Sequence, residues 1–527
     1  MLDNKKETER EELHRTIWGM ANDLRGSVDG WDFKQYVLGM LFYRYISENF
    51  ENFINKDEIS AGNKDFKYSE LSDEEAEGAR ADLVQTKGFF ILPSELFCNV
   101  RSRAAKDENL NETLEKIFAH IESSAVGSES EDDLKGLFTD FDVNSPKLGN
   151  TVENRNAKLV KLLNGVGEMR LGDYQSNEID AFGDAYEFLM TMYASNAGKS
   201  GGEFYTPQEV SELLTKITIV GKDSVNKVYD PACGSGSLLL KFAKILGRKN
   251  VRQGFFGQEI NLTTYNLCRI NMFLHDIEPG KFDIALGDTL TAPSHWDDEP
   301  FEAIVSNPPY SIKWEGDSNP ILINDQRFSP AGVLAPKGKA DLAFIMHSLS
   351  WLAPNGTAAI VCFPGILYRG GSEQKIRKYL VDNNKIDCII QLPDNLFFGT
   401  SIATCIMVLK HGKKDSSVLF IDASAQFVKV TNNNKLSEEN ISLILTTFAE
   451  RSEKTHFSKI VSNDETAANE YNLSVSSYVE KEDTREAVDI KKLNTEIAEI
   501  VAKENVLRGE IDKIIACLAA DTAEIEG

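Results

Sequence analysis

The chain predicts an α/β fold: a doubly wound sheet with an N-terminal helical domain and a C-terminal helical tail. Three observations carry this. From about residue 226 to 381, short apolar runs alternate with amphipathic helical patterns, the order that places helices on both faces of a parallel sheet. Ahead of it, residues 13–53 repeat apolar side chains at helical spacing. Behind it, residues 490–518 carry a heptad.

With 527 residues the chain is too long for one core. It divides into a helical domain at 1–165, an α/β domain at 166–435, a mixed connection at 436–489 and the heptad helix at 490–527. In the first domain Leu13, Ile17, Met20 and Leu24 mark one helix, and Phe33, Tyr36, Val37, Met40, Leu41, Tyr45 and Ile46 mark a second. The break at 26–30 separates them, and Asp32 is placed to cap the second. Residues 55–77 read as loop, 88–93 as a short edge strand, and 110–121 and 158–163 as helices. Nothing here carries chemistry, so docking or framing a substrate is expected, alongside a plain structural cap.

The second domain opens with a helix at 180–194 and the glycine-rich stretch 197–202. Lys199-Ser200 lacks the spaced glycines of a nucleoside-triphosphate loop. Thr206 and Pro207 then read as cap and first residue of a helix, whose free N–H groups suit a carboxylate. Residues 226–240 form strand, glycine turn and helix, with Gly234 and Gly236 allowing a tight turn close to a ligand. The third glycine of a dinucleotide fingerprint is replaced by Leu239, which disfavours a nicotinamide enzyme. A second strand, 255–260, carries Glu259 at its end, where a carboxylate binds ribose hydroxyls. A third, 282–286, leads to Asp288, which can accept from an adenine amine.

The fourth strand runs into Asn307-Pro308-Pro309-Tyr310. Two prolines end the ladder, so the chain leaves the sheet at the carboxyl end of a strand, where ligands of open α/β sheets bind. Asn307 offers a carbonyl to a planar amino group, Pro308 holds a second carbonyl, and Tyr310 can stack on a ring. Accepting both N–H bonds makes such a nitrogen nucleophilic toward an activated methyl. Alone, the four residues fit a proline-rich turn as well; three acidic strand ends in series before them favour the chemical reading.

Beyond it, 311–339 is long enough to be a lid, with Lys313, Trp314, Arg327, Lys337 and Lys339 available to nucleic acid or simply on the surface. Helices at 263–274, 340–352 and 373–381 and a strand at 357–362 continue the alternation. Strands at 388–392 and 404–410 lie so close that they predict an antiparallel pair at the sheet edge. In the tail, Ile490, Ile497, Ile511 and Leu518 share one heptad position and Leu493, Ile500, Leu507 and Ile514 the other, with Glu504 interrupting. A partner helix, or the chain's own N-terminal helices, would cover that seam.

The net charge of −25 argues against a general basic surface for gripping nucleic acid. Seven cysteines without paired spacing point to reduced thiols in the cytoplasm, and seven scattered histidines to no metal site. No apolar run is long enough for a bilayer.

In the order EFYTP, DPACGSGS, QEI, LGD, SNPPY, the chain resembles the gamma class of amino-methyltransferases that use S-adenosyl-L-methionine. Over nearly its full length it resembles the modification subunit of type I restriction–modification systems, including GSVDGWDFKQYVLG, AGKSGGEFYTP, FFGQEIN and YNLSVSSYV. The resemblance implies a site-specific adenine-N6 DNA methyltransferase with no metal. Glu203, Phe204, Tyr205, Thr206, Pro207 and Gln208, with Ser235, Gly236 and Ser237, would hold the methionine portion and sulfonium. Asp230 would orient the turn at Gly234, Glu259 bind the ribose, Asp288 the adenine amine, and 307–310 a target adenine flipped from the duplex. Phe397 or Phe398 would close the base's other face, and Cys233 would be a small filler. Implied partners are DNA, a specificity subunit joined by two modification subunits, and restriction subunits. Rival readings are a methyltransferase acting on a protein glutamine amide and a non-catalytic assembly scaffold.

Overall fold

The computed structural model describes residues 13–19, 30–169, 185, 188–189, 206–397, 401–430, 433–481 and 490–525. These form two compact units, 1–480 and 481–527.

The N-terminal part is built on α1 (Gly30–Ala61), α2 (Leu110–Ser124) and α3 (Val152–Glu168). α1 is 32 residues long and is buried all round over 36–43, with Tyr45, Ile46 and Phe50 buried beyond. It already contains Asp32, so that residue is inside the helix and not its cap, and it runs on through 55–61, expected as loop. Packing of its buried middle outweighs the polar composition of its last two turns. Residues 88–93 form no strand. Phe89, Phe90 and Ile91 are buried, but Phe90 N–H donates to Ser124 Oγ at 2.9 Å and Ile91 C=O accepts from Tyr68 Oη at 2.7 Å. Side chains satisfy the backbone in place of a neighbouring strand.

The sheet comprises β1 (Val225–Asp230), β2 (Val251–Glu259), β3 (Phe282–Leu286), β4 (Phe301–Ser306), β5 (Leu352–Cys362), β6 (Ile386–Gln391), β7 (Cys405–Leu409), β8 (Ser417–Asp422) and β11 (Ser458–Ser462). Between the last two, β9 (Val428–Val430) and β10 (Asn433–Lys435) make a separate ribbon. The order is β11-β8-β6-β7-β5-β4-β1-β2-β3. Strands β1 to β5 pair parallel, whereas β7 is antiparallel to both β5 and β6. The antiparallel pair is therefore not at the edge: β8 adds parallel to β6, and β11 antiparallel to β8. Residues 417–422 are as apolar as the inner strands, and the segment after 438, expected as mixed connection, supplies the outer strand.

Helices α4 (Gln208–Thr218), α5 (Ser237–Leu246), α6 (Leu262–Leu274), α7 (Asp341–Ser350), α8 (Ser372–Asp382) and α9 (Glu438–Glu450) flank the sheet. Ala303, Ile304 and Val305 of β4 are all fully buried, which explains a strand without polar alternation. Burial of each branched side chain contributes roughly 1.5–3 kcal/mol. The strand order reverses between β1 and β4, which opens a crevice at their carboxyl ends.

The second unit holds α10 (Ile490–Ile525), 36 residues long. Its seam residues Ile490, Leu493, Ile497, Ile500, Leu507, Ile511 and Ile514 are 48–70% exposed. Among the described residues, no helix is long and apolar enough to cross a membrane.

Candidate active site

β1 delivers the first part of the site. Past Asp230 the chain turns through Gly234 and Gly236, at φ +54° and +77°, and Gly236 begins α5. A side chain at 236 would meet Cys268 Sγ at 2.7 Å, so the turn lies directly on α6. From α6, Asn271 Nδ2 donates to Ser235 C=O at 2.7 Å. Asp230 is fully buried. Ala232 N–H donates to its Oδ1 at 3.0 Å, while Oδ2 has no hydrogen-bond partner among the described residues; Ser306 Oγ lies near without bonding geometry. Burial pushes this carboxyl up to about 7, against the pull of those groups.

Glu259 ends β2. Its Oε2 accepts from Gly234 N–H at 3.1 Å and its Oε1 from Asn261 N–H at 2.9 Å, leaving further acceptor capacity on both oxygens. Burial raises its carboxyl, offset by these N–H donors. Asp288 follows β3: Oδ1 accepts from Leu290 N–H and Oδ2 from Thr291 Oγ1, each at 2.9 Å. Asn307 ends β4. Its Nδ2 donates to Thr206 Oγ1 at 3.1 Å, and Tyr310 Oη donates to its Oδ1. Burial, then Cys362, Cys405 and Asp341, hold the Tyr310 phenol well above its ordinary value, so it stays neutral.

A cavity of about 340 Å³ joins these strand ends and runs from Gly234 past Glu259 and Asp288 to Asn307 and Pro309. That volume is within the range of small-molecule sites, roughly 300–1,000 Å³. Gly234, Glu259, Asp288, Asn307 and Pro309 are the expected residues that line it. Asp230, Ser235, Gly236 and Ser237 are not among its lining residues. Pro308 is buried, and Tyr310 packs against the core from the other side of the corner. Pro207, not Thr206, stands at the N-cap position of α4, with no side-chain cap, and the Thr206 hydroxyl instead accepts from Asn307. Gln208 Oε1 accepts from Lys241 Nζ of α5. Glu203, Phe204, Tyr205 and Phe398 lie outside the described residues, as does most of the helix expected at 180–194.

Other expectations change. Trp314 is buried, donates from Nε1 to Pro336 C=O at 3.1 Å and forms part of the cavity wall, away from the outer surface. Ile260 and Ile312 line it too, and nothing in their spacing marked them. Arg327, 1% exposed, is also withdrawn from any nucleic-acid surface. Phe397 is buried in the core and presents no free face to a base. The scattered histidines conceal one cluster among the described residues, Asp283, His295 and Asp298. Both ring nitrogens of His295 are partnered, by Asp298 at 3.1 Å and Gly257 C=O at 2.9 Å, so the group braces the loop after β3.

The family model described as N-6 DNA Methylase matches residues 177–487, and the HsdM N-terminal domain matches 13–166. This chain belongs to the N-6 DNA methylases. Within them it is of the type I restriction enzyme methylase-subunit kind. It is 50% identical to the type I restriction enzyme MpnII methylase subunit of Mycoplasma pneumoniae, over 100% of this chain and 99% of that one. It is 29% identical to the MjaVII methylase subunit of Methanocaldococcus jannaschii, over 96% and 84%. A crystal structure of the type I restriction-modification methyltransferase subunit from Streptococcus thermophilus superposes with TM-score 0.80 at 34% identity, over 89% of this chain and 100% of that one. This N-6 DNA methylase is thus an adenine-specific DNA methyltransferase subunit, and the comparisons lend no support to a glutamine-amide methyltransferase.

Proposed function

We propose that the cavity binds S-adenosyl-L-methionine and that the Asn307 corner receives an adenine flipped out of DNA. The observation that carries this is the continuity of one cavity from the Gly234 turn to Asn307. The residues fit the donor. Two carboxylates, Glu259 and Asp288, line the cavity beyond the strand ends, a setting that favours a cationic sulfonium. Spare acceptor positions on Glu259 suit ribose hydroxyls, and those on Asp288 an adenine amine. S-adenosyl-L-methionine supplies an electrophilic methyl on a good leaving group.

The protein's part is to place and polarise the acceptor nitrogen. Asn307 Oδ1 keeps one lone pair beyond that used by Tyr310, and takes one N–H of the amine; the Pro308 carbonyl takes the other. Thr206 fixes the Asn307 amide from the opposite side. With the donor bound, the lone pair drawn out of the ring would face the methyl in line with its bond to sulfur; that bond would break as the N–C bond forms, S-adenosylhomocysteine would leave, and the extra proton would pass to solvent. Proximity and polarisation provide the rate. Residues 203–208 and 235–237 hold the methionine end.

In assembly, two copies join one DNA-reading specificity subunit, restriction subunits add to that core, and the seam of α10 packs on helices of the specificity subunit. Borrowed DNA contacts account for a chain of charge −25 acting on DNA. The test is Asn307→Ala in the complex with labelled donor. Methyl transfer should fall at least 100-fold while donor binding stays within about threefold. Near wild-type transfer by that variant rejects the assignment.

A further inference from the structure

The segment after Tyr310 supplies Ile312, Lys313 and Trp314 to one wall of the cavity, while Asp288, Thr289 and Leu290 form another. A buried guanidinium is bonded to the second of these walls. Arg327 Nη1 donates to Thr289 C=O and Nη2 to Leu290 C=O, both at 2.8 Å. Its Nε and Nη2 also reach Asp325 at 3.0 and 2.7 Å, which balances the charge. His347 Nδ1 closes the shell at 3.2 Å, and its Nε2 faces Tyr229 Oη at 3.0 Å. Burial, and then Arg327, push His347 well below its ordinary value, so it serves as a neutral acceptor.

The clamp reaches both sides of the cavity. Thr289 Oγ1 donates to Pro231 C=O at 2.6 Å, which joins the clamped loop to the start of the glycine turn. On the other side, Phe328 packs edge-on to Trp314 with ring centroids 5.5 Å apart. A planar fork with two aligned carbonyls is a task that Arg performs and Lys, a single point charge, does not.

We propose that Arg327 is a positioning residue for the methyl donor: it fixes the spacing between the Trp314 wall and the loop carrying Asp288. This rests on the donor-site reading above. It assigns the segment after NPPY a role in holding the donor.

The experiment is isothermal titration of S-adenosyl-L-methionine into full-length wild type, R327K and D325N, with steady-state KM values for donor and DNA in the reconstituted complex. R327K should raise the donor Kd about tenfold at a binding stoichiometry matching wild type, and D325N, which only loosens the fork, about threefold. The donor KM should follow and the DNA KM stay put. If Arg327 merely supports folding, the variants will lose stoichiometry while the remaining sites keep the wild-type Kd; that result overturns the proposal, as does an unchanged Kd at full stoichiometry. Should R327K be insoluble, D325N decides by the same two readouts. Wild-type protein that takes up no donor overturns the donor-site reading itself and this proposal with it, whereas a binding wild type beside equally binding variants overturns this proposal alone.

Discussion

Gly236→Ala isolates what the glycine turn demands. At φ +77° an L residue is strained, which costs about 1–2 kcal/mol. The new Cβ would also stand 2.7 Å from Cys268 Sγ and 2.9 Å from Met272 Cε. Met272 Cε is the end of a flexible chain and can yield, but Cys268 is short and fully buried, so overpacking adds about 1–2 kcal/mol. The sum is about 2–4 kcal/mol. Gly221 provides the control: its φ is +74° and nothing lies within 4 Å of a built Cβ, so Gly221→Ala reports backbone strain alone. Urea unfolding of wild type, both single variants, Cys268→Ala and the Gly236→Ala/Cys268→Ala double variant separates the contributions. The double variant should show a favourable coupling of about 1 kcal/mol, because removing the sulfur makes room for the methyl group while φ stays strained. A Gly236→Ala variant no less stable than Gly221→Ala, or a coupling of zero, would refute the claim that α6 sets the position of the turn.

Two further outcomes follow from the same site and from the tail. The Asp230 carboxyl, about 7 when folded against 3.8 ordinarily, contributes stability that is complete below pH 3.8 and lost as the pH rises to about 7. Wild type should therefore lose about 2 kcal/mol relative to Asp230→Asn between pH 5.5 and 7, read from urea midpoints, and parallel profiles would contradict it. Removing residues from Ile490 onward should abolish co-purification with the specificity subunit while leaving donor binding by the chain intact; unchanged assembly rules out that docking role for α10.

Much of the catalytic sheet is legible in the sequence because its signals are local. An apolar run followed by glycine, acid or proline marks the end of a parallel strand, and the ends of β1, β2 and β4 fall at Asp230, Glu259 and Ser306, beside the expected residues. Long-range substitutes for local signals are what escaped. Residues 88–93 read as a strand because buried apolar residues alternate poorly in either state, and only Ser124 and Tyr68, far along the chain, show how their backbone is satisfied. The hairpin of β6 and β7 reads correctly as antiparallel, yet its place inside the sheet depends on β8 passing to the far side of β6.

Residue type and order by themselves determined the corner after β4: Asn-Pro-Pro-Tyr stops a ladder and leaves an amide at the cavity, since proline lacks an N–H whatever surrounds it. Tertiary structure alone decided which groups support that corner. Thr206 leaves its expected cap to hold Asn307 across 101 positions of sequence. Arg327, a surface cation by composition, is withdrawn from solvent and held by two carbonyls and Asp325. A charge is buried only where partners converge on it, and convergence belongs to the folded arrangement of distant segments, not to any window of sequence.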